Sequence, residues 1–225
     1  MNNKMEIKNY QHIIWDWNGT LLNDVQMCAD IMNNMLKVRS LPTITLEKYK
    51  EIFTFPVKDY YIKAGHDFVN ESFEKIGKDF IDEYEKRKTE CTLYPFAEEI
   101  LEIIHSLRIK QHLLSAYKQN NLEDIIKHFG INEYFYSVRG LDHIYADGKI
   151  ELGKQLMNEI SSNEMGSKVI LIGDTIHDYE VAKVLNTDCL LISNGHQNNE
   201  KLKSLNIPVI KNLEELFILV SEERI

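Results

Sequence analysis

The chain has 225 residues, of which 44% are hydrophobic and 27% are charged. This composition is typical of a globular protein with a hydrophobic core, and the length allows one ordinary domain plus an insertion. The formal net charge of −9 argues against nucleic acid and anionic membrane surfaces as partners. If the ligand is an anion, its positive environment must be local, and a divalent metal or a few lysines would supply it.

The three cysteines, Cys28, Cys91 and Cys189, lie far apart without CxxC spacing. This pattern predicts buried thiols in a reducing compartment, and it argues against a disulfide framework or a zinc site. No apolar run approaches the roughly 18 residues needed to span a bilayer. The segment Met1–Asn9 is too polar for a signal peptide. We therefore expect a cytoplasmic protein.

Short apolar segments alternate with longer segments of helical periodicity, such as Phe96–Leu107. This alternation predicts right-handed βαβ units and a parallel, doubly wound α/β sheet. Six segments are predicted as strands: His12–Trp17, His112–Tyr117, Tyr134–Val138, Lys168–Ile172, Cys189–Ser193 and Pro208–Ile210.

The alternation stops after the first predicted strand. Nearly seventy residues there carry only helical patterns, among them Val25–Lys37 and Glu71–Thr89. We predict that residues 24–91 form a helical subdomain, inserted into a core made of residues 1–23 and 92–225.

The first candidate for chemistry is Asp16, which directly follows the apolar segment His12–Trp15 and precedes the turn residue Gly19. Open α/β sheets bind ligands at the carboxyl ends of their strands, and a glycine lets the backbone approach a ligand closely. A carboxylate can attack phosphorus to form an aspartyl-phosphate. An isolated Asp before Gly is usually a turn residue. The strand context favours a nucleophile here.

Three later segments could cooperate with Asp16. Ser115 ends the second predicted strand, where its hydroxyl could donate a hydrogen bond to a phosphoryl oxygen. Lys149 and Lys154 flank the start of a predicted helix, and either could compensate negative charge. Asp174 and Asp178 lie at a strand-to-helix turn in the string Gly-Asp-Thr-Ile-His-Asp. Their oxygen atoms suit Mg²⁺.

Taken in order, these motifs resemble those of the haloacid dehalogenase-like phosphatases, whose nucleophile motif is Asp-x-Asp-Gly-Thr. The resemblance extends over the whole predicted core. It implies a Rossmann-like sheet of strand order 5-4-1-2-3, with the Asp16 strand in the centre. The inserted helices are similar to the cap of the branch that contains phosphoglycolate phosphatase. The resemblance also implies a small phosphorylated metabolite as substrate.

The resemblance further implies roles for individual residues. Asp16 would be the nucleophile, and Ser115 would contact the phosphate. Asp16, the backbone carbonyl of Asn18 and Asp174 would hold Mg²⁺, with Asp178 supporting the ion less directly or through water.

The family has one lysine at the third motif. Lys149 precedes Asp174 by 25 residues, the spacing of the phosphoglycolate phosphatase-like branch. The string Gly153-Lys154 is closer to the phosphoserine phosphatase branch. Lys149 is favoured, and both residues stay candidates.

Asn18 departs from the family pattern, which usually has an acid/base Asp at this position. An amide cannot exchange a proton at neutral pH, and general acid/base help contributes roughly 10²–10⁴-fold to a rate. A Mg²⁺-dependent phosphatase remains the preferred interpretation. A non-catalytic phosphate- or metabolite-binding module and a phosphoryl-transfer enzyme are the alternatives. His177 is a candidate substitute acid, and Phe53–Lys58 is a candidate specificity loop.

Overall fold

The computed structural model describes residues 6–142 and 148–222. Its strands are β1 (His12–Trp15), β2 (Leu22–Asn23), β3 (Thr92–Leu93), β4 (Lys110–Lys118), β5 (Phe135–Leu141), β6 (Val169–Gly173), β7 (Asp188–Ile192) and β8 (Val209–Ile210). Its α-helices are α1 (Val25–Val38), α2 (Leu46–Ile52), α3 (Val57–Ala64), α4 (Phe73–Arg87), α5 (Ala97–Ser106), α6 (Gln119–His128), α7 (Lys149–Asn163), α8 (Ile176–Leu185), α9 (Asn199–Lys203) and α10 (Leu213–Glu222).

Six of these strands form one sheet in the order β5-β4-β1-β6-β7-β8, and every pairing in it is parallel. When only these six strands are counted along the chain, β7-β6-β1-β4-β5 is the predicted order 5-4-1-2-3. The sixth strand, β8, extends the sheet beyond β7. The predicted Rossmann-like sheet with a central Asp16 strand is therefore confirmed, with one additional edge strand.

The central strand β1 is buried on both faces, because successive side chains of a strand point to opposite sides of the sheet. Ile13 belongs to a hydrophobic cluster with Leu101 on one face. Ile14 belongs to a second cluster with Leu114 and Leu156 on the other face. This double burial holds the end of β1, and with it Asp16, in one position.

The chain leaves the sheet through an antiparallel ribbon, in which Leu22 of β2 pairs with Leu93 of β3. The stretch between these strands is fully described and contains helices but no strand. Arg39, at the end of α1, binds the carboxylates of Glu71 and Asp79 and so ties α1 to α4. The division into a core and a subdomain at 24–91 stays a prediction. No described helix is long and apolar enough to cross a membrane.

Candidate active site

Asp16 lies where β1 ends, and its backbone N–H still donates to Ile172 O of β6 at 2.9 Å. Lys149, the first residue of α7, is buried and donates through Nζ to Asp16 Oδ1. The same Nζ lies 2.6 Å from Asp178 Oδ1. One buried ammonium group thus joins two carboxylates from different elements.

Asp174 follows β6 and is completely buried beside this ion-pair cluster. Its carboxylate accepts hydrogen bonds from Thr20 Oγ1 at 3.1 Å and from the backbone N–H of His196 at 2.6 Å. A Cβ at Gly19 or at Gly195 would collide with this carboxylate, and Gly19 also has a φ of +75°. Both loops therefore need glycine to approach Asp174 so closely.

Burial of several acids together shifts their protonation. Burial raises the pKa of Asp16 to about 6, although Lys149 acts in the opposite direction. Burial raises the pKa of Asp174 to about 8, against the influence of His196. For Lys149, burial disfavours the charge, but Asp16 and Asp178 outweigh this effect and raise its pKa. The cluster is therefore short of positive charge on the Asp174 side.

These residues fit a divalent cation. Carboxylate oxygens of Asp16, Asp174 and Asp178 lie within 4.8 Å of one another, and all three residues are buried. The donor set is made of hard oxygen atoms, which suit Mg²⁺. Asp178 is the least available of the three, because its Oδ2 caps α8 by accepting from Thr175 N and Thr175 Oγ1 at 3.0 and 2.6 Å.

The two candidate lysines have different locations. Lys149 is in the cluster, whereas Lys154 lies on the outer side of α7, 47% exposed, with its Nζ 2.6 Å from Glu151 Oε1. Ser115 is buried near the end of β4 and lines the same cavity as Asp16. Its Oγ accepts a hydrogen bond from the N–H of Tyr117 at 3.1 Å, so its own proton is available for an anion.

A second buried polar cluster adjoins the first and centres on Asp24. Asn18 donates through Nδ2 to Asp24 Oδ2 and to Tyr84 Oη, both at 2.7 Å. Tyr84 donates to Asp24 Oδ2 at 3.0 Å. Asp24 Oδ1 lies 3.2 Å from Nε2 of His196, whose Nδ1 is 2.8 Å from Tyr49 Oη. A carboxylate therefore lies directly behind the amide of Asn18.

Asp24 stands at the N-cap position of α1 but caps no helix N–H with its side chain. Burial would raise its pKa, yet His196 and the hydrogen bonds from Asn18 and Tyr84 outweigh burial and lower it. The pKa of His196 is raised, because Asp24 outweighs the effect of burial. The two side chains form a buried ion pair.

Sequence reasoning missed Asp24, His196 and Tyr84. A usable signal existed for His196, which follows β7 at the same sheet edge as Asp16 and Asp174. Asp24 resembles an ordinary helix cap in sequence. Nothing local marks Tyr84 of α4, which lies 60 residues from its partner Asp24.

A cavity of about 170 Å³ opens over both clusters, between the sheet edge and helices α2–α4. Two other predicted candidates line it. His177 is largely buried, with its Nδ1 3.5 Å from Glu180 and its ring 4.7 Å from the ring of Phe55. Phe53, Phe55 and Val57 bring the predicted specificity loop to the cavity wall.

Known proteins share this architecture. A family model described as haloacid dehalogenase-like hydrolase matches residues 13–192. A phosphoglycolate phosphatase of Rhodobacter capsulatus is 21% identical over 189 residues, covering 82% of this chain and 85% of that protein. One from Psychrobacter arcticus is 22% identical, with 87% and 89% covered. The structure of a haloacid dehalogenase-like family hydrolase from Streptococcus pneumoniae superimposes with a TM-score of 0.76, at 17% identity, covering 94% of this chain and 99% of that one.

Proposed function

Because the chain belongs to the haloacid dehalogenase-like hydrolase family, we propose that it is a Mg²⁺-dependent phosphatase. Its substrates are small phosphate monoesters, and the reaction passes through an aspartyl-phosphate on Asp16. One observation carries this proposal: buried Lys149 bridges Asp16 and Asp178 beside the buried acid Asp174, at the carboxyl edge of the sheet. Residues 24–91 are proposed to act as the cap over this edge.

The side chain of Asp16 is held for attack by its own contacts. Lys149 binds Oδ1, which restrains the carboxylate and leaves Oδ2 as the nucleophilic oxygen. Attack forms a bond from this oxygen to phosphorus, and the bond from phosphorus to the ester oxygen breaks. Lys149 offsets part of the negative charge on the transferring phosphoryl group, and the hydroxyl of Ser115 donates to one of its oxygens. Water then attacks phosphorus and releases the Asp16 carboxylate.

The metal would be held by Asp16, Asp174 and the backbone carbonyl of Asn18, with Asp178 in support. When bound, it neutralises phosphate charge and favours the ionised carboxylates. Asp178 has a second function, because it holds Lys149 on one oxygen and the start of α8 on the other. Removing it would therefore disturb the nucleophile through Lys149.

Protonation of the leaving group is the weak step. Asn18 can donate a hydrogen bond, but it cannot lose a proton at neutral pH. Its amide is also committed to Asp24 and Tyr84. We therefore expect slow turnover of alkyl phosphates, whose leaving groups need a proton most, and faster turnover of acyl phosphates.

The test is turnover of acetyl phosphate and of several alkyl phosphates, with Mg²⁺ and with EDTA. We expect activity that EDTA removes and that Asp16→Asn reduces to background, because the amide is not a nucleophile. The matched control is Asp188→Asn, which changes an exposed Asp on β7 that accepts from Tyr10. Full activity of Asp16→Asn would overturn the assignment.

The same experiment separates the alternatives. A binding module would bind phosphate esters but would turn over neither acetyl phosphate nor any alkyl phosphate. A phosphoryl-transfer enzyme would accumulate phosphate on Asp16 and pass it to an added alcohol faster than to water. Either result would replace the hydrolase proposal.

A further inference from the structure

We propose that the leaving group of the substrate carries a single aromatic ring, which enters a subsite formed by the helices above Asp16. This inference rests on the proposed function, because it names the leaving group of the same reaction. The observations that carry it concern the aromatic rings, the charge and the size of the cavity.

The wall opposite the sheet edge is a continuous series of aromatic rings. Neighbouring rings in this series have centroids 5.2–6.4 Å apart, within the usual range of ring contacts. At one end of the series, the ring centroid of Phe55 lies 4.7 Å from that of His177. At the other end, the centroid of Tyr84 lies 5.7 Å from that of Tyr117. We call this series the aromatic belt: Phe55, Phe53, Tyr60, Tyr61, Phe80 and Tyr84.

No charged side chain accompanies the aromatic belt on this wall. Every residue that α2, α3, α4 and their connections contribute to the cavity lining is uncharged, and this stretch is fully described. A substrate with a second negative group, such as phosphoglycolate, would find no cation on that side. The two lysines of the lining lie on the sheet side instead: Lys149 is paired with Asp16 and Asp178, and Lys118 lies at the end of β4. The wall therefore favours an uncharged, apolar leaving group.

Gly77 gives this wall its depth. It lies on the face of α4 that lines the cavity, between Phe73 and Phe80, where helical spacing puts these side chains on one side. A Cβ added at Gly77 would meet nothing within 4 Å. Glycine inside a helix is less favourable than alanine. Helix α4 thus has a glycine at a position where a larger side chain would fill the cavity.

The size of the cavity limits the ligand. Its volume is about 170 Å³, and an apolar cavity of about 150 Å³ is enough to bind benzene. The volume is thus on the scale of a single aromatic ring.

The test compares kcat/KM for the benzyl, ethyl and carboxymethyl (phosphoglycolate) esters of phosphate. All three are alkyl esters, so the missing acid at Asn18 affects them similarly. We expect native protein to prefer benzyl phosphate by about tenfold or more, the usual scale for burying a few extra carbons. Gly77→Leu should reduce the benzyl-to-ethyl ratio about tenfold. Lys78→Leu, an exposed neighbour on α4, should leave the ratio unchanged.

Calorimetry with benzylphosphonate and ethylphosphonate in the presence of Mg²⁺ supplies a readout that needs no turnover. Preferential binding of benzylphosphonate by native protein, lost in Gly77→Leu, supports the ring subsite even if no ester is hydrolysed. In that case only the proposed function fails. Hydrolysis of acetyl phosphate together with a preference for phosphoglycolate or ethyl phosphate would overturn the ring subsite and leave the function standing. Gly77→Ala, which adds one methyl group, guards against misfolding of Gly77→Leu.

Discussion

The two walls of the cavity differ in charge and in the kind of side chains that form them. The sheet edge carries buried charges held in ion pairs, as in Lys149 with Asp16 and Asp178. The helical wall has no charge and consists mainly of aromatic rings. Charged groups need fixed partners to be buried, and a doubly buried sheet supplies fixed positions. Under the proposed function, the chemistry takes place at the sheet edge and the helical wall selects the leaving group.

The difference between the two walls implies that the fold needs the buried cation at the sheet edge. Lys149→Met leaves two buried carboxylates without their cation, so we expect the free energy of unfolding to fall by about 3–5 kcal/mol. Lys154→Met removes an exposed lysine from the same helix and should change it by less than about 0.5 kcal/mol. Urea denaturation of both variants in EDTA at pH 7 measures the difference. Equal effects would show that the buried ion pairs do not stabilise the fold.

Exchanging the amide of Asn18 and the carboxylate of Asp24 tests which of the two positions needs the acid. Asn18→Asp alone puts two carboxylates in contact, because Asn18 Nδ2 lies 2.7 Å from Asp24 Oδ2. One of them must then hold a proton, so we expect lower stability and little gain in rate. Combining Asn18→Asp with Asp24→Asn places the amide at position 24 and the carboxylate at position 18, so a hydrogen-bond donor still faces an acceptor.

The double variant also keeps an acceptor oxygen for Gly19 N–H and His196 Nε2, which contact Asp24 Oδ1 in the native protein. It should therefore regain stability and hydrolyse ethyl phosphate about tenfold faster than native protein, within the range of acid/base catalysis. The measurement is the ratio of ethyl phosphate to acetyl phosphate turnover. An unchanged ratio in the double variant would mean that Asn18 does not limit the reaction.

The smallest expected effect concerns pH. Burial raises the pKa of Asp174 to about 8, while an unfolded Asp ionises near 3.9. The folded protein thus keeps a proton that the unfolded chain has lost, and stability falls as pH rises through 8. The raised pKa of His196 acts in the same direction. Between pH 7 and 9 we expect Asp174 to contribute a loss of about 1 kcal/mol in EDTA. The buried thiols of Cys28, Cys91 and Cys189 add to the fall, because burial raises their pKa as well.

Urea denaturation at pH 7, 8 and 9 measures this loss. These pH values lie above the range in which His12, His112 and His177 titrate, because burial lowers the pKa of all three. Mg²⁺ should reduce the loss, because a cation favours the ionised carboxylates. Asp174→Asn in EDTA is the control and should show a smaller slope. An equal slope in the variant would assign the pH dependence to other groups.

The pattern of apolar segments was enough to predict the sheet and the position of its motifs. Apolar segments that alternate with helical patterns predict a parallel sheet, and the carboxyl ends of parallel strands meet at one edge. Asp16, Ser115 and Asp174 each follow or end such a segment, so the pattern of the chain is enough to predict that they converge. The helical character of residues 24–91 was also readable, from periodicity and the lack of strand patterns.

Only the tertiary structure distinguished the two lysines. Lys149 and Lys154 are five residues apart on α7, which turns them roughly 140° away from each other around the helix. One therefore lies over the sheet edge and the other lies in solvent. The sequence contains both lysines in suitable strings, and the packing of the helix against the sheet decides which one reaches Asp16.

The neighbours of Asn18 likewise depend on the fold. Asp24 meets Tyr84 across 60 residues and His196 across 172 residues. Asp24 and Tyr84 look ordinary in their local sequence. The aromatic belt has the same origin, because its rings come from α3, from α4 and from the connection between α2 and α3. Periodicity reports which face of an element is buried, but it does not report which other element covers that face. That choice follows from packing across the whole chain, and it determines both the surroundings of Asn18 and the shape of the cavity.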